Sequence, residues 1–198
     1  MGFIPADAAV RSSPGVRWSM AALALAVLTA DQVSKSLVLA AQPAAGTGTG
    51  WVSIRLVRNT GASGGIASGY PVLVTLAAIG VTAIAAAFAL HARSRAAALC
   101  LAAVLGGAAG NLSDRIFRAP GFGRGGVVDW IHFGPGGGSM DIADLAIQFG
   151  VLGAAIAIIA SDRVRKAGKT GKAASAGASA DDGCRLSRPR SLSRAGNP

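Results

Sequence analysis

Residues 71–90 read PVLVTLAAIGVTAIAAAFAL, twenty positions without a charged side chain. A helix rising about 1.5 Å per residue crosses the ~30 Å hydrocarbon core of a bilayer in that length. Three more apolar runs flank this one. Trp18–Ala41 is interrupted by Asp31-Gln32-Val33-Ser34-Lys35, Ala96–Leu112 is short and rich in Ala and Gly, and Ile142–Ala160 is broken only by Asp144 and Gln148. The stretch Trp18–Ala30 alone has the form of a signal-peptide core, but three further runs argue against a removable signal. The reading is an all-α integral membrane protein, a bundle of four transmembrane helices over about 18–41, 71–90, 96–112 and 142–160.

The composition agrees. Of the 198 residues 52% are hydrophobic and 14% charged, against roughly 25% charged in soluble domains. The net charge of +10 would ordinarily point to nucleic acid. Nine of the basic residues, however, follow the last apolar run, between Arg163 and Arg194, with no aromatic interleaving. They read as a topology signal beside anionic lipid, and no nucleic-acid partner is expected. Cys100 and Cys184 have neither disulfide nor metal spacing, and His91 and His132 have no local partner for a nucleophile.

The basic flank before Trp18, the link His91-Ala92-Arg93-Ser94-Arg95 and the basic tail place both termini in the cytoplasm by the positive-inside rule. Segments 42–70 and 113–140 then face outward. Residues 51–58 alternate as a strand does and Val127–Phe133 is a second β-like run, so a small β-sheet platform is expected on the outer face. The chain divides into a cytoplasmic segment 1–17, a membrane domain 18–160 and a basic tail 161–198, disordered from Ala167 on.

All nine acidic residues are Asp. With the spans so directed, Asp31, Asp114, Asp129, Asp141 and Asp144 collect near one membrane interface, together with Lys35 and Arg115. Ionisable groups at such a level are costly and usually functional. Asp114 also fits a residue merely bathed in interfacial water. Asp144, followed by an almost unbroken apolar run, does not. Gly106 and Gly110 form a GxxxG pair, read as close helix packing, and Gly121–Gly126 reads as a flexible outer loop. No metal-ligand cluster of His is present, and no metal or other cofactor is expected. Two carboxyls held close cannot both ionise easily; one keeps a proton while the other is base to a water. That chemistry hydrolyses a peptide without metal or covalent intermediate.

Five blocks occur in order: Asp31-Gln32-Val33-Ser34-Lys35, Asn59-Thr60-Gly61-Ala62-Ser63, Gly106 through Arg115, Val127-Val128-Asp129-Trp130, and Ile142 through Ile147. Together they resemble the lipoprotein signal peptidase (signal peptidase II) family over roughly residues 17–160. The resemblance implies an intramembrane aspartyl endopeptidase of the bacterial cytoplasmic membrane. Its substrate would be a prolipoprotein, cut before a cysteine that already carries diacylglycerol. It implies Asp129 and Asp144 as the catalytic pair, with Asn59, Gly107, Asn111, Arg115, Asp31 and Lys35 in supporting or pocket-lining positions. Asn59 and Asn111 would donate hydrogen bonds to substrate or dyad, and Arg115 would hold a carbonyl or the outer loop. Asp31 and Lys35, at i and i+4, would pair on one helix face.

Two positions depart from the family pattern. Asp141 stands where an Asn is usual, three residues before Asp144, and Gly64 where an aromatic is usual. The extra carboxylate should raise the proton affinity of the pair, and a weakened or specialised paralogue is one alternative. The other is a small transporter or channel subunit using the aspartates for ion passage. Spans two and three, almost free of polar residues, offer no such path.

Overall fold

The structure, a computed structural model, describes residues 13–43, 51–62, 67–134 and 137–186, with side chains as far as Ala167. The expected loss of an aromatic at Gly64 and the segment 1–12 lie outside these residues. Contacts divide the chain into two compact units, 1–158 and 159–198.

The first unit holds helix α1 (Pro14–Ala41), strand β1 (Val52–Asn59), helices α2 (Pro71–Leu90) and α3 (Arg95–Phe117), strands β2 (Val127–Phe133) and β3 (Ser139–Met140), and the start of α4 (Ile142–Leu186). All four helices are long and apolar enough to cross a membrane. Their outward faces are apolar and bare: Leu76, Ile84 and Phe88 on α2, and Phe149, Leu152 and Ile156 on α4, are all exposed. Such faces are stable only against lipid. Local chemistry sets the helix starts. Pro14 and Pro71 occupy first-turn positions where a missing N–H costs nothing. Ser94 caps α3 by accepting the Ala97 N–H at 3.1 Å.

Helix α3 is the centre of the bundle, packed against α1 and α2. Its glycines explain how close the helices come. A Cβ on Gly106 would lie 2.5 Å from the Ala24 carbonyl oxygen of α1, and one on Gly107 2.5 Å from the Ala143 carbonyl oxygen of α4. A Cβ on Gly110 would lie 2.5 Å from Asp31 Oδ2. The expected packing role of the GxxxG pair is met. Gly107 is buried in this helix contact.

Three strands form the small antiparallel sheet in the order β1-β2-β3. Asn59 pairs with Val127 and Val57 with Asp129, then the register breaks between Ile54 and Val57 before Val52 meets Phe133. Strand β3 pairs Met140 with Ile131 and leads directly into Asp141 and α4. Two residues long, β3 has no periodicity for the sequence to display.

Two expectations need correction. Helix α3 runs to Phe117, five residues past the end of the third apolar run, so Asp114 and Arg115 lie on the helix and not in a loop. Asp114 is fully buried and not bathed in water. The segment 121–126 is a built turn and not a loose loop: the Gly125 N–H donates to the Arg115 carbonyl, Gly126 N–H to Ala119, and Thr75 Oγ1 to Gly123. Helix α4 continues through Leu186, and no proline intervenes before Pro189.

Candidate active site

Five aspartates and three cations meet where the helix ends reach the sheet. Lys35 sits at the centre, its side chain fully buried, with its Nζ 2.8 Å from Asp31 Oδ2, 2.9 Å from Asp114 Oδ2 and 2.6 Å from Asp141 Oδ2. It also donates to Asn111 Oδ1 at 3.1 Å. The i,i+4 pairing expected for Asp31 and Lys35 is present, but it is one spoke of a larger hub. Gln32 Nε2 donates to Asp31, Asp114 and the Gly110 carbonyl, and Arg118 Nε pairs with Asp114.

The hub fastens both neighbouring segments. Asp114 Oδ2 accepts the Val128 N–H at 3.2 Å, anchoring β2 one residue before Asp129. On the other side, Asp31 Oδ1 accepts the Ala143 N–H at 3.0 Å and Asp141 Oδ1 accepts the Asp144 N–H at 2.7 Å. Asp141 is thus the N-cap of α4, a place where the helix dipole favours an anion. The result is that Asp129, from the central strand, and Asp144, from the first turn of α4, face each other. One carboxylate oxygen from each of Asp129, Asp141 and Asp144 lies within 4.8 Å of the others.

Each member of the expected pair is held by an amide. Asn59 Nδ2 donates to Asp129 Oδ2 at 3.3 Å, and Asn111 Nδ2 to Asp144 Oδ1 at 2.9 Å. Arg115 Nη2 donates to the Gly61 carbonyl at 2.6 Å, tying α3 to the segment after β1 as foreseen. Two buried atoms have no hydrogen-bond partner among the described residues and line the same site: Asp129 Oδ1 and Arg115 Nη1. Unpaired buried polar atoms are expensive, and are found where another molecule completes them.

Burial dominates the electrostatics. Asp129, 2% exposed, is pushed up to about 7 by desolvation and then by the charges of Asp141 and Asp144, against the Asn59 hydrogen bond. Desolvation also lifts Asp141 to about 7, against the pull of Lys35 and with further repulsion from Asp144 and Asp31. Three cations face five carboxyls, so the site approaches neutrality when two of the five keep protons. A metal is not the better reading of the acidic trio. Both Asp141 oxygens are already engaged, by the Asp144 N–H and by Lys35, and the Lys35 ammonium occupies the place of a cation.

A cavity of about 480 Å³ opens from the pair along aliphatic walls that include Leu73, Val74, Ala77, Val81 and Ile147. The sequence reading had brought together Asn59, Asn111, Arg115, Asp129, Asp141, Asp144, Asp31 and Lys35, and the structure does so too. It missed Gln32 and the role of Asp114. The i,i+4 spacing of Asp114 and Arg118 continues the polar face of α3 and was the available signal.

These features define an integral membrane protein with a buried and a half-buried aspartate paired at an apolar cleft. A model of signal peptidase (SPase) II matches residues 23–160, and the chain belongs to that family. It is 42% identical to the lipoprotein signal peptidase of Streptomyces griseus over 66% of this chain and 69% of that one. It is 36% identical to that of Leifsonia xyli over 70% of this chain and 66% of that one, and 44% identical to that of Mycobacterium tuberculosis over 57% of each. Among solved structures, a bacterial membrane enzyme determined by the in meso method at 2.3 Å superposes with a TM-score of 0.60 at 25% identity, over 72% of this chain and 88% of that one. The chain is a multi-pass bacterial membrane protein and an aspartic endopeptidase of the signal peptidase II type. Family membership removes the transporter and nucleic-acid readings.

Proposed function

We propose that the enzyme removes the signal peptide from prolipoproteins by cutting before a diacylglyceryl-modified cysteine, with Asp129 and Asp144 as the water-activating pair. The observation that carries the proposal is their placement. They are two carboxyls from different elements, Asp129 buried and Asp144 half-buried, each oriented by an asparagine, in the lining of a lipid-compatible cavity. In the resting state Asp129 holds the shared proton, in keeping with its raised affinity. The Asp144 anion lies in the first turn of α4, where the dipole favours it. Asp144 takes a proton from water as the oxygen attacks the scissile carbonyl, and Asp129 gives its proton to the carbonyl oxygen. The tetrahedral centre collapses as the proton on Asp144 passes to the leaving nitrogen, and the pair is ready again after proton return. Asn111 holds Asp144 in line, and Arg115 Nη1 is placed to hold a substrate carbonyl.

On this reading residues 18–160 form the peptidase domain and 161–198 a dispensable tail. Both termini are cytoplasmic, the pair lies near the outer face, and the bilayer lipids bathe the aliphatic walls. The test is purified protein in detergent with a prolipoprotein peptide bearing diacylglyceryl cysteine, beside the same peptide without lipid. Cleavage of the lipidated peptide alone supports the reading. Equal cleavage of both would remove the lipid from it.

A further inference from the structure

A second cavity, of about 570 Å³, meets the first at Asn59, Asp129 and Asp144. Its character is opposite. Its walls include Arg55, Arg58, Thr60, His132, Ser139 and Gln148, and its only acidic members are the dyad itself. Arg55 and Arg58 are three apart on β1, and regular pleating would turn them to opposite faces of the sheet. Arg55 falls within the register break between Ile54 and Val57, and both arginines line the same cavity. An irregularity of this kind re-aims a side chain, here bringing a second guanidinium to the site. Neither arginine makes an ion pair with a described residue. Two cations converge on a cavity whose lining, among the described residues, holds no acid besides the dyad.

A peptide lying across the dyad has two halves to house. The aliphatic cavity suits the apolar signal segment that precedes the cut. The polypeptide after the cysteine is the part that must leave the membrane, and it needs a polar route. We propose that the second cavity is the subsite for the residues following the lipid-bearing cysteine, and that Arg55 and Arg58 make it select carboxylate side chains there. This rests on the peptidase reading above.

The experiment uses full-length enzyme and three peptides with one signal segment and one diacylglyceryl cysteine. They differ only in the two residues after that cysteine: Asp-Asp, Ser-Ser or Lys-Lys. Cleavage of the Ser-Ser peptide reports on the peptidase reading alone. At low ionic strength kcat/KM for Asp-Asp exceeds that for Lys-Lys by about tenfold, the sum of two partly exposed charge contacts, and the difference lies in KM. It shrinks in high salt. The double variant Arg55→Gln with Arg58→Gln brings the ratio within about twofold, whereas Arg55→Lys and Arg58→Lys, which keep the charge, and Arg124→Gln, a charge outside the cavity, retain it. Equal cleavage of all three peptides by the parent enzyme overturns the proposal, as does a preference that survives in the double variant. Stimulation by phosphatidylglycerol that needs both arginines, with no discrimination among peptides, would overturn it in favour of a lipid headgroup. Failure to cut any of the three overturns the peptidase reading and this one together.

Discussion

Replacing Lys35 with Met should damage stability and activity together, because one ammonium holds both halves of the site in place. Its Nζ lies 2.6–2.9 Å from carboxylate oxygens of Asp31, Asp114 and Asp141, all fully buried. Met keeps the length and apolar stem but leaves three buried carboxylates facing one another. Removing one partner of a buried pair costs about 3–5 kcal/mol. At the sensitivity of a domain this size, that is a fall in Tm of roughly 6–20 °C. The damage should reach catalysis, since Asp114 anchors the strand beside Asp129 while Asp31 and Asp141 cap the helix that carries Asp144. Adding Asp141→Asn removes one of the stranded charges and keeps an oxygen for the Asp144 N–H. The double variant should therefore be more stable than additivity predicts, by about 1–3 kcal/mol. Thermal unfolding in detergent, followed by tryptophan fluorescence, measures both effects, with cleavage assayed alongside. A Lys35→Met protein with Tm within about 2 °C of the parent, cutting at the parent rate, would refute the hub.

Three more predictions follow from the same geometry. Asp141→Asn removes a charge that raises Asp129, so the alkaline limb of the kcat/KM profile, set near 7, should move to lower pH while activity is kept or improved. A carboxyl whose folded pKa lies above its unfolded one favours the folded state while protonated, so the contribution of Asp129 and Asp141 to stability is fully present below about 4 and is lost as pH rises through about 7. The variant should show a shallower decline in Tm measured across that window. Gly107→Val would drive a side chain against the Ala143 carbonyl, costing about 1–3 kcal/mol by thermal unfolding, whereas Gly80→Ala, with open space around it, should leave Tm unlowered. Truncation from Ala167 onward should leave cleavage of the lipidated peptide unchanged.

The spans were legible because a membrane helix announces itself in about twenty apolar residues, and Pro71–Leu90 contains no other signal to confuse it. The end of α3 was not, because a run of hydropathy cannot distinguish a charge that leaves the bilayer from one that is neutralised inside it. Asp114 is paired with Lys35, 79 positions away, and Arg115 donates to the Gly61 carbonyl, 54 positions away, partners that hydropathy does not weigh. The candidate pair could be named only through resemblance to a family. No local spacing relates Asp129 on a strand to Asp144 on a helix, and β3, the link that joins them, is too short to leave a pattern. Asn59 and Asn111 were foreseen as donors, and each donates to its own member of the pair. The cost of adding Asp141 to that pair is visible only in three dimensions, where Lys35 offsets part of it.

The most direct test of the central claim is the rate of cleavage of a diacylglyceryl prolipoprotein peptide by Asp129→Asn and Asp144→Asn, each checked for Tm and membrane insertion. Asn keeps the size of Asp and its acceptor oxygen but cannot serve as acid or base. Each variant should be inserted and folded with cleavage lost, and the double variant no worse than either single one, as befits residues acting as a unit. Substantial turnover by either folded single variant would contradict the account.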